Sequence, residues 1–96
     1  MSDGDGAWRE CRRVTIRNQR GLHARAAAKF VDCAGRFDAV IEVAKRDLAV
    51  SGESIMGLML LAAAPGTDLE LRARGPQARA ALDALSRLIE GRFDED

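Results

Sequence analysis

The one histidine of this 96-residue chain stands in Gly21-Leu22-His23-Ala24-Arg25, where a glycine-bearing turn runs into an alanine-rich stretch. The first N–H groups of a helix lack intrahelical partners and carry the positive end of its dipole, so such a position suits a bound or covalently attached anion. Imidazole is also a nucleophile that can take up a phosphoryl group and release it again. The plainer reading of His23 is a solvated surface residue or a local helix cap. Arg25 lies two residues on, as an anion partner or as a simple surface charge, and Arg20 is a further candidate. Ser54, in Ser54-Ile55-Met56-Gly57, is a second residue to note, because a serine there suits a helix N-cap. Cys11 and Cys33 are too far apart in sequence for CxxC chemistry, and two thiols with one histidine fall short of a structural zinc set, so no metal is expected.

These residues must be positioned by a small fold. The length fits one domain, with residues 1–10 read as a flexible leader, 11–91 as the domain and 92–96 as an acidic tail. Hydrophobic residues make up 47% of the chain but aromatics only 4%, so the core is aliphatic and alanine-rich. Fifteen basic residues balance fifteen acidic ones, which argues against a nucleic-acid binder. The balance is not local: between Arg9 and Lys29 the only acid is Glu10, so the end that holds His23 should attract acidic partners. The apolar run from Ile55 to Ala64 is too short to span a bilayer and no signal-like start precedes the domain, from which a cytoplasmic protein without membrane insertion is expected.

Val14 and Ile16 alternate with polar neighbours, which predicts a strand leading to His23. Ala27, Phe30, Val31 and Ala34 recur at helical spacing, with Gly35 as a stop. A second strand follows through Ile41 and Val43, then a turn at Lys45-Arg46-Asp47 into a third strand over Leu48–Val50. Ser54 caps a short helix from Ile55 to about Leu61. Leu69, Leu71 and Ala73 mark the clearest amphipathic strand. Beyond Gly75-Pro76, a helix turns Ala78, Ala81, Leu82, Leu85, Leu88 and Ile89 to one face. The order βαββαβα fits an α+β fold, a four-stranded antiparallel sheet with three helices on one face; a split βαβ arrangement fits it too. The middle helix is either wholly buried or exposes some of Ile55, Met56, Leu58, Met59, Leu60 and Leu61 as an adaptable contact surface.

The two motifs together, in this order and spacing, resemble the HPr family, the histidine-containing phosphocarriers of the bacterial phosphotransferase system. The resemblance runs from about Arg12 to Gly91. It implies an open-faced sandwich, a phosphoryl group accepted by Nδ1 of His23, and phosphate stabilisation by Arg25 and the backbone of Ala24 and Arg25. It further implies regulatory phosphorylation at Ser54 and a partner surface of Arg20, Ile55, Met56 and Met59. The implied partners are enzyme I or its nitrogen-related paralogue, enzyme IIA components and HPr kinase/phosphorylase. No cofactor is implied, and the chain is expected to act as a monomeric carrier more than as a stand-alone enzyme. A module whose binding to kinases, transporters or transcription factors follows its phosphorylation state is the alternative. Many relatives have proline where this chain has Ala26, and the Ala26-Ala27-Ala28 run resembles the nitrogen-related branch.

Overall fold

The computed structural model describes residues 8–95. The expected leader therefore lies, for residues 1–7, outside the described residues. Its last residues are already structured: Trp8 lies 4.8 Å from the Arg74 guanidinium, and Arg9 donates to the Ala73 carbonyl at 3.0 Å. Four strands and three helices follow in the order β1 (Glu10–Thr15), α1 (Ala24–Ala34), β2 (Val40–Lys45), β3 (Leu48–Ser51), α2 (Ile55–Leu60), β4 (Asp68–Arg74) and α3 (Ala78–Glu90).

The sheet runs β1-β4-β2-β3, with every neighbouring pair antiparallel. Because β4 lies antiparallel between β1 and β2, those two strands are parallel to each other and α1 crosses from one to the other. The two arrangements compatible with the sequence are thus one structure. Alternation decides which face is buried: Leu69, Leu71 and Ala73 of β4 are at most 2% exposed, as are Ile41 and Val43 of β2. Against them pack Phe30 of α1, Leu58 of α2, and Leu82, Leu85 and Ile89 of α3, all fully or nearly fully buried. On the other face Arg72 pairs with Glu42 at 2.6 Å and with Glu70 at 3.0 Å, a charged surface laid across β2 and β4.

Three local details sharpen the sequence-based expectation. Lys45 belongs to β2 and pairs with Leu48, so the hairpin turn is only Arg46-Asp47. Without a glycine there, Arg46 itself takes the left-handed conformation, φ 55°. The middle helix ends at Leu60, with Leu61 as its cap. The acidic end of the chain is folded as far as Glu95: a short left-handed turn at Arg92–Asp94 follows α3, and Phe93 within it is completely buried.

Candidate functional site

His23 is the N-cap residue of α1, with extended backbone at φ −81°. The first intrahelical bond runs from the Ala27 N–H to the His23 carbonyl at 2.8 Å, so the N–H groups of Ala24, Arg25 and Ala26 all precede the ladder. One of them is used by the histidine itself: the Arg25 N–H donates to Nδ1 at 3.2 Å. A ring nitrogen that accepts a hydrogen bond carries its lone pair there, so the proton sits on Nε2. The turn before the helix is set by Gly21, whose φ of 68° is left-handed and whose missing Cβ would stand 2.5 Å from the Ala63 carbonyl oxygen. The adjacent Leu22 N–H donates to that same oxygen at 2.9 Å. The loop holding the histidine is thereby bonded to the chain leaving α2.

Nε2 of His23 has a partner that no local sequence pattern announces. It lies 2.5 Å from Oε2 of Glu95, seventy-two residues away, with both side chains about 15% exposed. The other carboxylate oxygen of Glu95 accepts from Nδ2 of Asn18 at 3.0 Å, and the same amide donates to the Gly21 carbonyl at 2.7 Å. Asn18 is fully buried. Its bond to Glu95 is the largest influence and lowers the carboxyl; burial opposes it, and the contact with His23 and the charge of Lys29 add to the lowering, so Glu95 lies below its ordinary value.

Delivery of Glu95 to this point needs an unusual backbone. Arg92, Phe93 and Asp94 have φ of 60°, 54° and 62°, three consecutive left-handed residues without a glycine. Each costs roughly 1–2 kcal/mol. The turn is retained by burial of the Phe93 ring and by Lys29, whose Nζ donates to the Phe93 carbonyl at 2.6 Å. A lone phenylalanine inside Arg92-Phe93-Asp94-Glu95-Asp96 was the signal available in the sequence for this docking.

Arg25 and Arg20 are exposed, and neither guanidinium forms an ion pair among the described residues. Ala26 is fully buried and brings an N–H that proline would lack. Ser54 caps α2, its hydroxyl oxygen accepting from the Gly57 N–H at 2.9 Å. The far end of that helix is held by Lys45, which donates to the Leu61 carbonyl at 2.8 Å. Between these caps only Leu58 of the helix is buried, while Met56 is 79% exposed, Leu60 71%, Met59 44% and Ile55 39%. The open choice about this helix therefore resolves to an exposed apolar face, and Leu60 lies on it with Ile55, Met56 and Met59. An open bay of about 750 Å³ is lined by Arg13, Arg46 and Glu70 among others, and none of the residues around His23 lines it.

The chemistry available is that of a partly exposed nucleophilic ring nitrogen beside the N–H groups of a helix start and two arginines without an ion pair among the described residues. Residues 11–91 match the family model described as the PTS HPr component phosphorylation site. The phosphocarrier protein HPr of Pseudomonas aeruginosa is 52% identical over 83 residues, covering 85% of this chain and 92% of that protein. The phosphocarrier protein NPr of Shewanella violacea is 43% identical over 84 residues, covering 88% of this chain and 92% of that protein. Among solved structures, HPr from Thermoanaerobacter tengcongensis superposes with a TM-score of 0.88 at 40% identity, covering 92% of this chain and 99% of that one.

Proposed function

The chain belongs to the HPr family of phosphocarriers of the bacterial phosphotransferase system, and within that role we propose that His23 is the residue that carries the phosphoryl group. The observation that carries this reading is the Nδ1 lone pair at the start of α1, fixed there by the Arg25 N–H. As the Arg25 N–H swings from Nδ1 to a phosphoryl oxygen, attack by the released lone pair on a donor's phosphohistidine forms the new N–P bond while the old one breaks, and the electron pair returns to the donor ring. The phosphoryl oxygens then lie against the N–H groups of Ala24 and Arg25 and within reach of the Arg25 side chain, a helix end that suits negative charge. No cavity around His23 encloses a small substrate among the described residues, which suits transfer between proteins.

Enzyme I, or its nitrogen-related paralogue, is the donor in this reading, charged from phosphoenolpyruvate, and a histidine of an enzyme IIA component is the acceptor. Arg20, Ile55, Met56, Met59 and Leu60 form the docking surface, where apolar methionine and leucine side chains adapt to different partners. The cytoplasm is the compartment in which such partners would meet it. Ser54 is the regulatory position, open to HPr kinase/phosphorylase. Phosphate on its oxygen would sit at the start of α2, which tolerates it, and would put about two negative charges beside the apolar face.

Incubation with phosphoenolpyruvate and each enzyme I paralogue tests the assignment. Wild type takes up acid-labile, alkali-stable phosphate and His23→Ala takes up none; retained labelling of the variant removes His23 from the role. The paralogue that labels faster identifies the branch, sugar or nitrogen, that the chain serves.

A further inference from the structure

We propose that Glu95 is a positioning residue for the acceptor histidine: its carboxylate holds the ring proton on Nε2 and offsets the positive charge the ring gains when Nδ1 takes the phosphoryl group. This rests on the reading of His23 as the acceptor.

The argument begins with the proton. Nδ1 accepts the Arg25 N–H, and on the opposite side of the ring Nε2 meets the Glu95 carboxylate at 2.5 Å. The two contacts select the same tautomer. Imidazole in water exchanges between tautomers, and only the one with its lone pair on Nδ1 can attack from the helix-start side. During transfer no proton leaves the ring. The Nδ1 lone pair bonds to phosphorus, the donor's N–P bond breaks, and the Nε2–H stays in place, so the ring becomes cationic while its proton points at an anion. The same contact persists until the acceptor's nitrogen takes the phosphoryl group and the electron pair returns to Nδ1.

The carboxylate is itself held from several sides. Asn18, fully buried, bridges it to the Gly21 carbonyl, so one side chain sets both the histidine turn and the carboxylate. Lys29 of α1 holds the preceding Phe93 carbonyl, and Phe93 anchors the turn in the core. A turn of three left-handed residues would be an odd way to end a helical domain if it delivered nothing. Among the described residues, the groups that act on Glu95 are one histidine, one neutral amide and one lysine, none of them an anion. A base oriented by a third group is a recurring arrangement around nucleophiles; here the oriented ring is the nucleophile itself.

The test uses the full chain with Glu95→Gln, Glu95→Ala and, as a control on the exposed neighbour, Asp94→Asn. Ring nitrogen-15 shifts report the tautomer, and single-turnover uptake from phosphorylated enzyme I, over a range of enzyme I concentrations, separates docking from transfer. Wild type and Asp94→Asn show the Nε2–H tautomer and equal rates. Glu95→Ala shows mixed tautomers and a saturated transfer rate about tenfold lower with unchanged half-saturation, the size expected for losing one charge-assisted hydrogen bond. Glu95→Gln falls between them, because its amide oxygen accepts the proton without the charge. An unchanged tautomer and rate in Glu95→Ala, or a loss confined to half-saturation, overturns the proposal. Absence of label on wild-type His23 instead removes the phosphocarrier reading, and the tautomer comparison still reports whether Glu95 orients the ring.

Discussion

The Leu22 N–H and the Ala63 carbonyl, 2.9 Å apart, join the turn that carries His23 to the chain that leaves α2. The loop that holds the histidine is thereby tied to the segment that follows the helix capped by Ser54. The close approach depends on Gly21, because an added Cβ would stand 2.5 Å from the same carbonyl oxygen.

Gly21→Ala therefore meets both a left-handed backbone and a backbone clash. The expected loss is about 2–4 kcal/mol, from the left-handed penalty together with overpacking against an atom that cannot rotate away. Equilibrium urea unfolding measures it. Because the Leu22 bond is strained at the same time, phosphoryl uptake should fall more than the folded fraction does.

Ser54→Ala and Ser54→Asp separate the structural from the regulatory role of this serine. Alanine removes the acceptor of the Gly57 N–H and should cost about 1 kcal/mol, whereas aspartate can accept that bond and keep stability within about 0.5 kcal/mol of wild type. Aspartate nonetheless adds a negative charge next to Ile55 and Met56. Enzyme I affinity, measured by calorimetry, should weaken for Ser54→Asp and stay near wild type for Ser54→Ala; equal affinities would show that charge at this position does not regulate docking.

Much of this arrangement is legible from alternation and spacing. Val14, Ile41, Val43, Leu69 and Leu71 fall on the buried face because a strand's period is two, and Ala27, Phe30, Leu82 and Leu85 do so because a helix's period is 3.6. The caps His23 and Ser54 also follow from local chemistry. The strand order is harder, since β4 inserts between β1 and β2 and nothing in local pattern encodes a partner that far along the chain. Glu95 is the clearest omission. Its contact with His23 depends on three non-glycine residues turning left-handed, against their intrinsic preference, under the pull of a buried Phe93.

Phe93→Ala tests that last link. Loss of a fully buried ring costs about 3–5 kcal/mol in an enclosed core, but a chain end can peel away, so the global loss should lie at or below about 3 kcal/mol. The amides of residues 92–95 should then exchange rapidly with solvent while those of α3 remain protected. Uniform loss of protection across α3 would mean that the turn and the helix unfold together.

The pH dependence of the same segment follows from Glu95. Its carboxyl is lowered from the ordinary value of 4.5, first by the Asn18 hydrogen bond, so the folded state binds this proton less readily than the unfolded chain does. The associated stability is present above that ordinary value and is lost as pH falls through the lower folded one. Wild type should thus exceed Glu95→Gln in stability at pH 6–7, with the gap closing on acidification below about 4.5. Thermal unfolding of both proteins between pH 7 and 3 measures this; a gap that widens in acid contradicts the sign.

Met56 and Leu60 are 79% and 71% exposed, and so contribute little to the fold. Truncating either to alanine removes side-chain atoms that already face water, and stability should stay within about 0.5 kcal/mol of wild type. Docking is a different matter, because a partner that covers this face removes the same atoms from solvent at roughly 25 cal/mol per Å². The double variant Met56→Ala, Leu60→Ala should therefore bind enzyme I about tenfold more weakly, which corresponds to about 1.4 kcal/mol over the two truncated contacts. The imidazole and its Glu95 contact are untouched, so at saturating enzyme I the transfer rate should match wild type. A fall in that saturated rate with binding unchanged would assign these side chains to the transfer step and not to recognition.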